Sequence, residues 1–247
     1  MHAFFLPPER WGETCLLDGQ ESRHLSQALR IGVGEEVRLM DGAGREGDFR
    51  VEKTGKRETL LRLLRTRTHP RPVSLPVMAL AWSKATRRGF FMEKAVELGV
   101  HEVWLWQGDH SQGRVPADVK DSWQGQMIAG IKQCGNPWLP TVQVLPEGVD
   151  ALIRRAVDAP HKILPWERQE DVPMLTPSMA GRTGVTVYVI GPEGGFSSRE
   201  LDALGKAGFS TVSLGNQVLR CETAALLCLG IHWWASNLPA HCREDAP

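Results

Sequence analysis

Residues 185–225, VTVYVIGPEGGFSSRELDALGKAGFSTVSLGNQVLRCETAA, contain two loops that each follow an apolar strand and precede a helix. The first loop begins at Gly191, and the Ser197-x-x-Glu200 sequence after it is a capping box that starts a helix. The second loop covers residues 215–220. Because neighbouring strand–loop–helix units bring their loops to the carboxyl edge of a parallel sheet, we expect a ligand site there.

The rest of the chain changes character near residue 72. Residues 1–72 contain short β patterns and one helical turn at residues 24–30, which predict a small β-barrel. From residue 73 onward strands alternate with helices, which predicts an α/β domain with a mostly parallel sheet. Within this domain we expect a helix at residues 117–134 and a loop at residues 166–184.

Composition restricts the protein class. The 247 residues carry balanced charge, with 29 Lys plus Arg and 29 Asp plus Glu, but residues 50–71 hold eight basic residues against two acids. This basic run fits a solvated strand face or an RNA contact equally well. Five cysteines without a CxxC pair disfavour a disulfide framework or a zinc ribbon. We find no signal peptide and no apolar run long enough for a membrane span, so we expect a cytoplasmic protein.

The glycine-rich first loop is suited to close backbone approach by a ligand. It is not a phosphate loop, since no Gly-Lys-Ser/Thr follows, and it lacks the GxGxxG pattern of dinucleotide-binding proteins. Glu193 would also place a negative charge where a pyrophosphate lies. Two interpretations remain open, a ligand-binding loop and a tight strand-to-helix turn.

The second loop ends in a cluster of reactive residue types. Arg220 and Glu222 either serve a site or form a structural ion pair at a helix start. Cys221 is either a nucleophile with a lowered pKa or a packing residue. Cys228 and His232 have metal-ligand spacing, but without a third ligand core packing is the better interpretation, and we expect no metal.

Two motifs carry a resemblance to a known family, IGPEGGFSSRE at residues 190–200 and LGNQVLRCETAAL at residues 214–226. With them, the chain resembles the bacterial 16S rRNA uridine-N3 methyltransferases of the knotted SPOUT superfamily. The resemblance implies an N-terminal PUA-like RNA-binding β-barrel at residues 1–72. It implies a SPOUT α/β domain at residues 73–247, with a C-terminal trefoil knot at about residues 185–237.

The resemblance also implies S-adenosyl-L-methionine as cofactor, 16S rRNA or the small ribosomal subunit as partner, and a homodimer. Arg220 would stabilise the uridine anion. Glu222 would either orient the Arg220 side chain or take the N3 proton. The residues implied to hold the cofactor are Leu164, Ile190, Gly191, Pro192, Glu193, Gly194, Gly195, Leu214, Gly215, Val218, Leu219 and Thr223. The residues expected to contact RNA are Arg23, Arg30, Arg62, Arg65, Lys84, Arg87, Arg88 and Lys94.

Two other classes are weighed against this one. A non-catalytic rRNA-binding assembly factor could keep the same fold. Such a factor should not bind the cofactor, which would distinguish it from the enzyme. A nucleotide-dependent dehydrogenase is disfavoured, because GxGxxG and the acid about 20 residues after it are both missing.

Overall fold

The computed structural model describes residues 1–55, 57–166 and 172–238, except for the side chains of residues 85–87. The chain forms two compact units. The first consists of Met1–Arg71 together with Ile128–Leu139, and the second of Pro72–Met127 together with Pro140–Pro247.

The first unit is built on a five-stranded sheet in the order β1-β3-β4-β5-β2, in which β1 runs parallel to β3 and the other pairs are antiparallel. Its core contains Phe4, Leu17 and Phe49. The predicted helical turn begins earlier, as α1 (Gly19–Arg23), and continues as a π-helical turn at His24–Ala28. The strands are β1 (Ala3–Phe5), β2 (Thr14–Asp18), β3 (Glu36–Met40), β4 (Arg45–Lys53) and β5 (Glu58–Thr68).

Residues 128–139 pack within the first unit, on α1 and on the turn between β3 and β4. The Lys132 ammonium lies 2.6 Å from the Glu21 carboxylate, and Gly44 N donates to Pro137 O at 3.0 Å. Gly44 has a φ of +93°, and a Cβ there would overlap the Trp138 indole. Glycine is therefore required at this turn both by backbone conformation and by space.

The second unit contains a six-stranded parallel sheet in the order β11-β9-β10-β6-β7-β8. Continuous apolar runs such as VYVI fit such a sheet because helices cover both of its faces. The strands are β6 (Ser74–Ala81), β7 (Glu102–Trp106), β8 (Thr141–Leu145), β9 (His161–Pro165), β10 (Gly184–Ile190) and β11 (Ser210–Val212). The helices are α2 (Ala85–Glu97), α3 (Asp121–Cys134), α4 (Val149–Arg155), α5 (Pro177–Ala180), α6 (Ser198–Lys206) and α7 (Cys221–Asn237).

Two expectations about these elements need correction. The helix expected from residue 117 begins at Asp121, because Val115 N donates to the Gln107 side chain at 2.9 Å and holds the preceding segment near β7. The loop expected at residues 166–184 contains the short helix α5, which Thr176 caps by accepting from Met179 N. Within the described part of the chain, no helix has the length and apolarity needed to cross a membrane.

His232 ties α7 to the sheet through a chain of hydrogen bonds. The Tyr188 hydroxyl donates to His232 Nδ1 at 3.1 Å, and His232 Nε2 donates to Ser74 Oγ at 2.9 Å. Ser74 Oγ donates in turn to Arg182 O at 2.6 Å. This arrangement suits the neutral imidazole, and burial lowers the pKa of His232 to about 4. His232 is therefore a structural residue, and the described residues contain no group of three possible metal ligands.

We predict that His232 makes stability depend on pH. Its pKa is depressed on folding, so its contribution is fully present above pH ~6.5 and is lost as the pH falls toward about 4. Relative to His232→Gln, the wild-type protein should lose roughly 3 kcal/mol of unfolding free energy over this range. Urea unfolding at a series of pH values measures the difference.

The matched control is His2→Gln, since the His2 side chain is exposed. Its stability curve should run parallel to that of the wild type. Parallel curves for His232→Gln as well would show that the buried imidazole does not titrate as expected.

Candidate functional site

The loop after β10 is held in place by a buried carboxylate. Glu200 has no exposed surface, and it accepts hydrogen bonds from the backbone N–H groups of Ser197 and Asp109, each at 2.8 Å. Ser197 Oγ accepts in return from Glu200 N at 3.2 Å, which completes the predicted capping box. One side chain thus starts α6 and joins the loop after β10 to the loop after β7.

Further contacts join the same two loops. Asp109 accepts from Ser197 Oγ at 2.6 Å and from Arg199 at 2.9 Å, and these bonds lower the pKa of its carboxyl group. A Cβ at Gly194 would lie 2.8 Å from His110 Cβ, so a larger residue would push the loops apart. The contribution of Gly194 is therefore close packing on the neighbouring loop.

The two predicted loops face each other across a cleft of about 350 Å³ at the carboxyl edge of the sheet. Gly191 lies in its wall, where a Cβ would come within 2.8 Å of the Phe196 ring. Phe196 is itself stacked on Trp106, with ring centroids 6.1 Å apart. The cleft is lined by Pro165, Ile190, Gly191, Pro192, Glu193, Gly195, Phe196, Val218, Leu219, Arg220, Cys221 and Ala224.

Eight predicted site residues therefore lie on this one cleft. Leu214 and Gly215 line a smaller adjoining hollow of about 40 Å³, which also includes Leu219. Leu164 is buried in the core beneath the sheet edge, and Thr223 is exposed on α7. Pro165, Phe196 and Ala224 were not predicted, although Pro165 follows the predicted Leu164 and ends a strand that reaches the same edge.

Charge is distributed unevenly around the cleft. Glu222 is buried, and Cys221 Sγ donates to its carboxylate at 3.2 Å. Burial, together with the charges of Glu222 and Glu193, raises the pKa of Cys221 to about 11. The thiol is therefore protonated at neutral pH, which disfavours the nucleophile interpretation. Arg220 is exposed at the rim, and no ion pair joins it to Glu222 in the described residues.

The predicted RNA-contact residues of the first unit fall into two groups. Arg62 pairs with Glu52, and Arg65 pairs with the buried Asp48. Arg23 and Arg30 are exposed and have no carboxylate partner among the residues that the structure describes. Much of the basic run is thus neutralised within its own sheet, whereas Arg23 and Arg30 keep free charge.

The predicted RNA-contact residues of the second unit also differ in environment. Lys84 is exposed, and Lys94 is held by Glu93 at 3.0 Å and Glu97 at 2.8 Å. Arg88 is buried against Trp82. The side chain of Arg87 lies outside the described residues.

Comparison with known proteins identifies the class. A sequence profile described as an RNA methyltransferase domain matches residues 70–233, and one described as an RNA methyltransferase PUA domain matches residues 17–64. The chain is 32% identical to the ribosomal RNA small subunit methyltransferase E of Mycobacterium tuberculosis over 231 residues, covering 89% of this chain and 86% of that protein.

Solved structures agree with the sequence relatives. A ribosomal RNA small subunit methyltransferase E from Neisseria gonorrhoeae bound to S-adenosyl methionine is 27% identical, with a TM-score of 0.79 over 93% of this chain and 95% of that one. A Legionella pneumophila methyltransferase with bound SAM is 26% identical, with a TM-score of 0.81 over 94% and 97% of the chains. The fold and the two matching profiles are those of an RNA methyltransferase. Within that class, the chain belongs to the ribosomal RNA small subunit methyltransferase E family.

We predict that Glu200→Gln destabilises the protein by ~1–3 kcal/mol. Both Glu200 oxygens accept backbone N–H groups, and an amide would place its NH₂ against one of those donors. Chemical denaturation measures the loss. Glu147→Gln, at an exposed position, is the matched control and should be neutral. A Glu200→Gln variant as stable as the wild type would contradict the assigned role of this carboxylate.

Proposed function

We propose that this protein uses S-adenosyl-L-methionine to methylate N3 of a specific uridine in the 16S rRNA of the small ribosomal subunit. The observation that most supports this proposal is the cleft between the two loops, which has an acid in its wall and an arginine at its rim. Membership of the family and the solved relatives with bound cofactor support the proposal.

The cleft fits this cofactor in size and in charge. Its volume of about 350 Å³ lies in the range of small-molecule sites, and Ile190, Val218 and Leu219 give it apolar walls. The missing side chain of Gly191 leaves room for the Phe196 ring, which lines the cleft beside it. The carboxylates of Glu193 and Glu222 favour a cationic ligand and disfavour a pyrophosphate. When bound, the cofactor supplies an activated methyl group on a positively charged sulfur.

The remaining chemistry concerns the uridine. N3 of uracil carries a proton at neutral pH and becomes a good nucleophile only as that proton leaves and negative charge spreads over O2 and O4. Arg220, exposed at the rim, is placed to stabilise this charge. The Glu222 carboxylate accepts a hydrogen bond from Cys221, which lines the cleft, and we propose that Glu222 or an intervening water receives the N3 proton.

Recognition of the RNA is assigned to both domains. A paired base hides N3, so the target uridine must be unpaired or flipped out. We propose that the PUA domain of residues 1–72 supplies affinity through exposed arginines, so binding should weaken steeply with salt.

A threaded chain is part of the proposal. Trp166 N donates to Val212 O at 3.0 Å, whereas Leu175 N donates to Ser213 O at 2.9 Å. Successive residues of an extended strand point their backbone groups to opposite sides. The chain at the end of β11 therefore has Trp166 on one side and residues 173–175 on the other, which supports the proposed trefoil knot at about residues 185–237.

We further propose a homodimer and a cytoplasmic location. Leu227, Ile231 and Trp234 form an apolar stripe along α7, with Leu227 38% and Trp234 52% exposed. A helix that is apolar on all sides needs a partner on its open face. Because α7 begins immediately after Arg220, a second subunit on this stripe would lie close to the cleft.

The direct test is methyl transfer by the purified protein. Incubation with labelled S-adenosyl-L-methionine and either deproteinised 16S rRNA or small subunits should give 3-methyluridine on nucleoside analysis. Calorimetry should show cofactor uptake by the protein alone. No cofactor uptake would favour a non-catalytic rRNA-binding factor, and 5-methyluridine would refute transfer to N3.

Arg220→Ala should retain cofactor affinity and lose methyl transfer by about 10²-fold or more, as expected when a stabiliser of developing charge is removed. Titration calorimetry and single-turnover rates measure the two effects. Arg154→Ala, at an exposed position on α4, is the control and should behave as the wild type. Near-normal turnover by Arg220→Ala would remove this residue from the mechanism.

Cys221→Ser should remain active within a few fold. The thiol is protonated at neutral pH, and transfer to N3 requires no covalent adduct with the ring. Methyl-transfer rates of the folded variant provide the measurement. A folded but inactive variant would instead support attack on a ring carbon by Cys221.

Arg23→Gln combined with Arg30→Gln should weaken binding to 16S rRNA and make the salt dependence shallower by about one unit per lost phosphate contact. The matched control is Arg62→Gln combined with Arg65→Gln, since those side chains are already paired with Glu52 and Asp48. Filter binding over a KCl series gives both slopes. If the Arg62 and Arg65 substitutions weaken rRNA binding more than those of Arg23 and Arg30, the RNA contacts are made by Arg62 and Arg65 instead.

A further inference from the structure

The start of α2 contains two buried polar groups that no described residue satisfies. Ser83 is 2% exposed and Arg88 is 7% exposed, and neither Ser83 Oγ nor Arg88 Nε has a hydrogen-bond partner there. Leaving such groups unpaired costs free energy, and the cost is larger for a charged group. Both residues lie within five positions of each other, which points to a common ligand.

The Arg88 guanidinium is directed back toward the start of the helix. Its central carbon lies 3.6 Å from the centroid of the Trp82 ring, and Trp82 immediately precedes Ser83. Trp82 is fixed in turn by Trp123, whose ring meets it edge-on at 6.0 Å. Burial lowers the pKa of Arg88, but no described carboxylate compensates its charge.

The helix end itself favours an anion. Lys84 at the N-cap makes no side-chain capping bond, and the first turn of α2 contains no acidic residue. The capping box of α6 and Glu222 in α7 provide acids at the corresponding positions of those helices. Unsatisfied backbone N–H groups at a helix N-terminus bind phosphate well.

This helix end lies beside the cleft. Leu80 in β6 pairs with Ile190 in β10, so residues 82–84 and residues 191–193 leave the same edge of the sheet from neighbouring strands. Trp82 N also donates to Trp106 O at 2.9 Å, which keeps the segment in line with the sheet.

We propose that the start of α2 binds a phosphate group of the substrate RNA, with Arg88, Ser83 and the backbone N–H groups of the first turn as donors and Lys84 at the surface. The inference rests on the proposed function, because it assigns this phosphate to the strand that brings the target uridine to the cleft. Arg88 thereby binds a phosphate from a buried position and is not a solvated contact.

The test uses full-length protein, deproteinised 16S rRNA and a KCl series. Arg88→Gln should weaken binding about tenfold and make the slope of log K against log [KCl] shallower by about 0.7–1. Ser83→Ala and Lys84→Gln should each weaken binding by a few fold. Arg154→Gln, an exposed arginine elsewhere in the unit, should leave affinity and slope unchanged.

The anion at this site could also be the carboxylate of the cofactor. Calorimetry with S-adenosyl-L-methionine alone distinguishes that carboxylate from an RNA phosphate. Cofactor affinity within twofold of the wild type is expected for every variant. Lost cofactor affinity with unchanged rRNA binding would overturn the proposal, and so would unchanged rRNA affinity and slope for Arg88→Gln. If Arg88→Gln does not fold, unchanged rRNA binding by both Ser83→Ala and Lys84→Gln would overturn it equally. Wild-type protein that shows this salt dependence but transfers no methyl group would refute only the proposed function.

Discussion

The geometry of the site depends on one buried carboxylate. Glu200 accepts backbone N–H groups from the loops after β7 and β10, and it also begins α6. Without it, Gly191 and Glu193 would lack a fixed position opposite the second loop. The close approach of Gly194 to His110 and the stacking of Phe196 on Trp106 then follow from the same loop conformation. Preorganisation of this kind lets a site bind a ligand without the cost of ordering its own walls.

Charged groups surround the cleft. Acidic side chains at Glu193 and Glu222 lie in or directly behind its wall, and Arg220 is at its rim. We infer that a cationic cofactor is favoured inside and that negative charge developing on a base is favoured at the rim. Burial, together with the same acids, raises the pKa of Cys221 and keeps its thiol protonated, which disfavours it as a competing nucleophile.

Local patterns predicted much of this arrangement. Strand alternation, the glycines and the capping box placed both loops correctly, because each depends on residues close together in sequence. Contacts between distant segments could not be predicted in this way. No local signal shows that Trp138 covers Gly44, that Ala224 completes the cleft, or that Arg88 turns inward onto Trp82. The basic run was visible, but its pairing with Asp48 and Glu52 required the strand register.

The central claim is that this cleft serves N3 methylation of one uridine in 16S rRNA. Mass spectrometry of 16S rRNA from cells with and without this protein tests it most directly. We predict that a single 3-methyluridine disappears when the protein is absent and returns when the wild-type gene is restored. An unchanged set of methylated nucleosides, or loss of a methyl group at a different atom, would contradict the account.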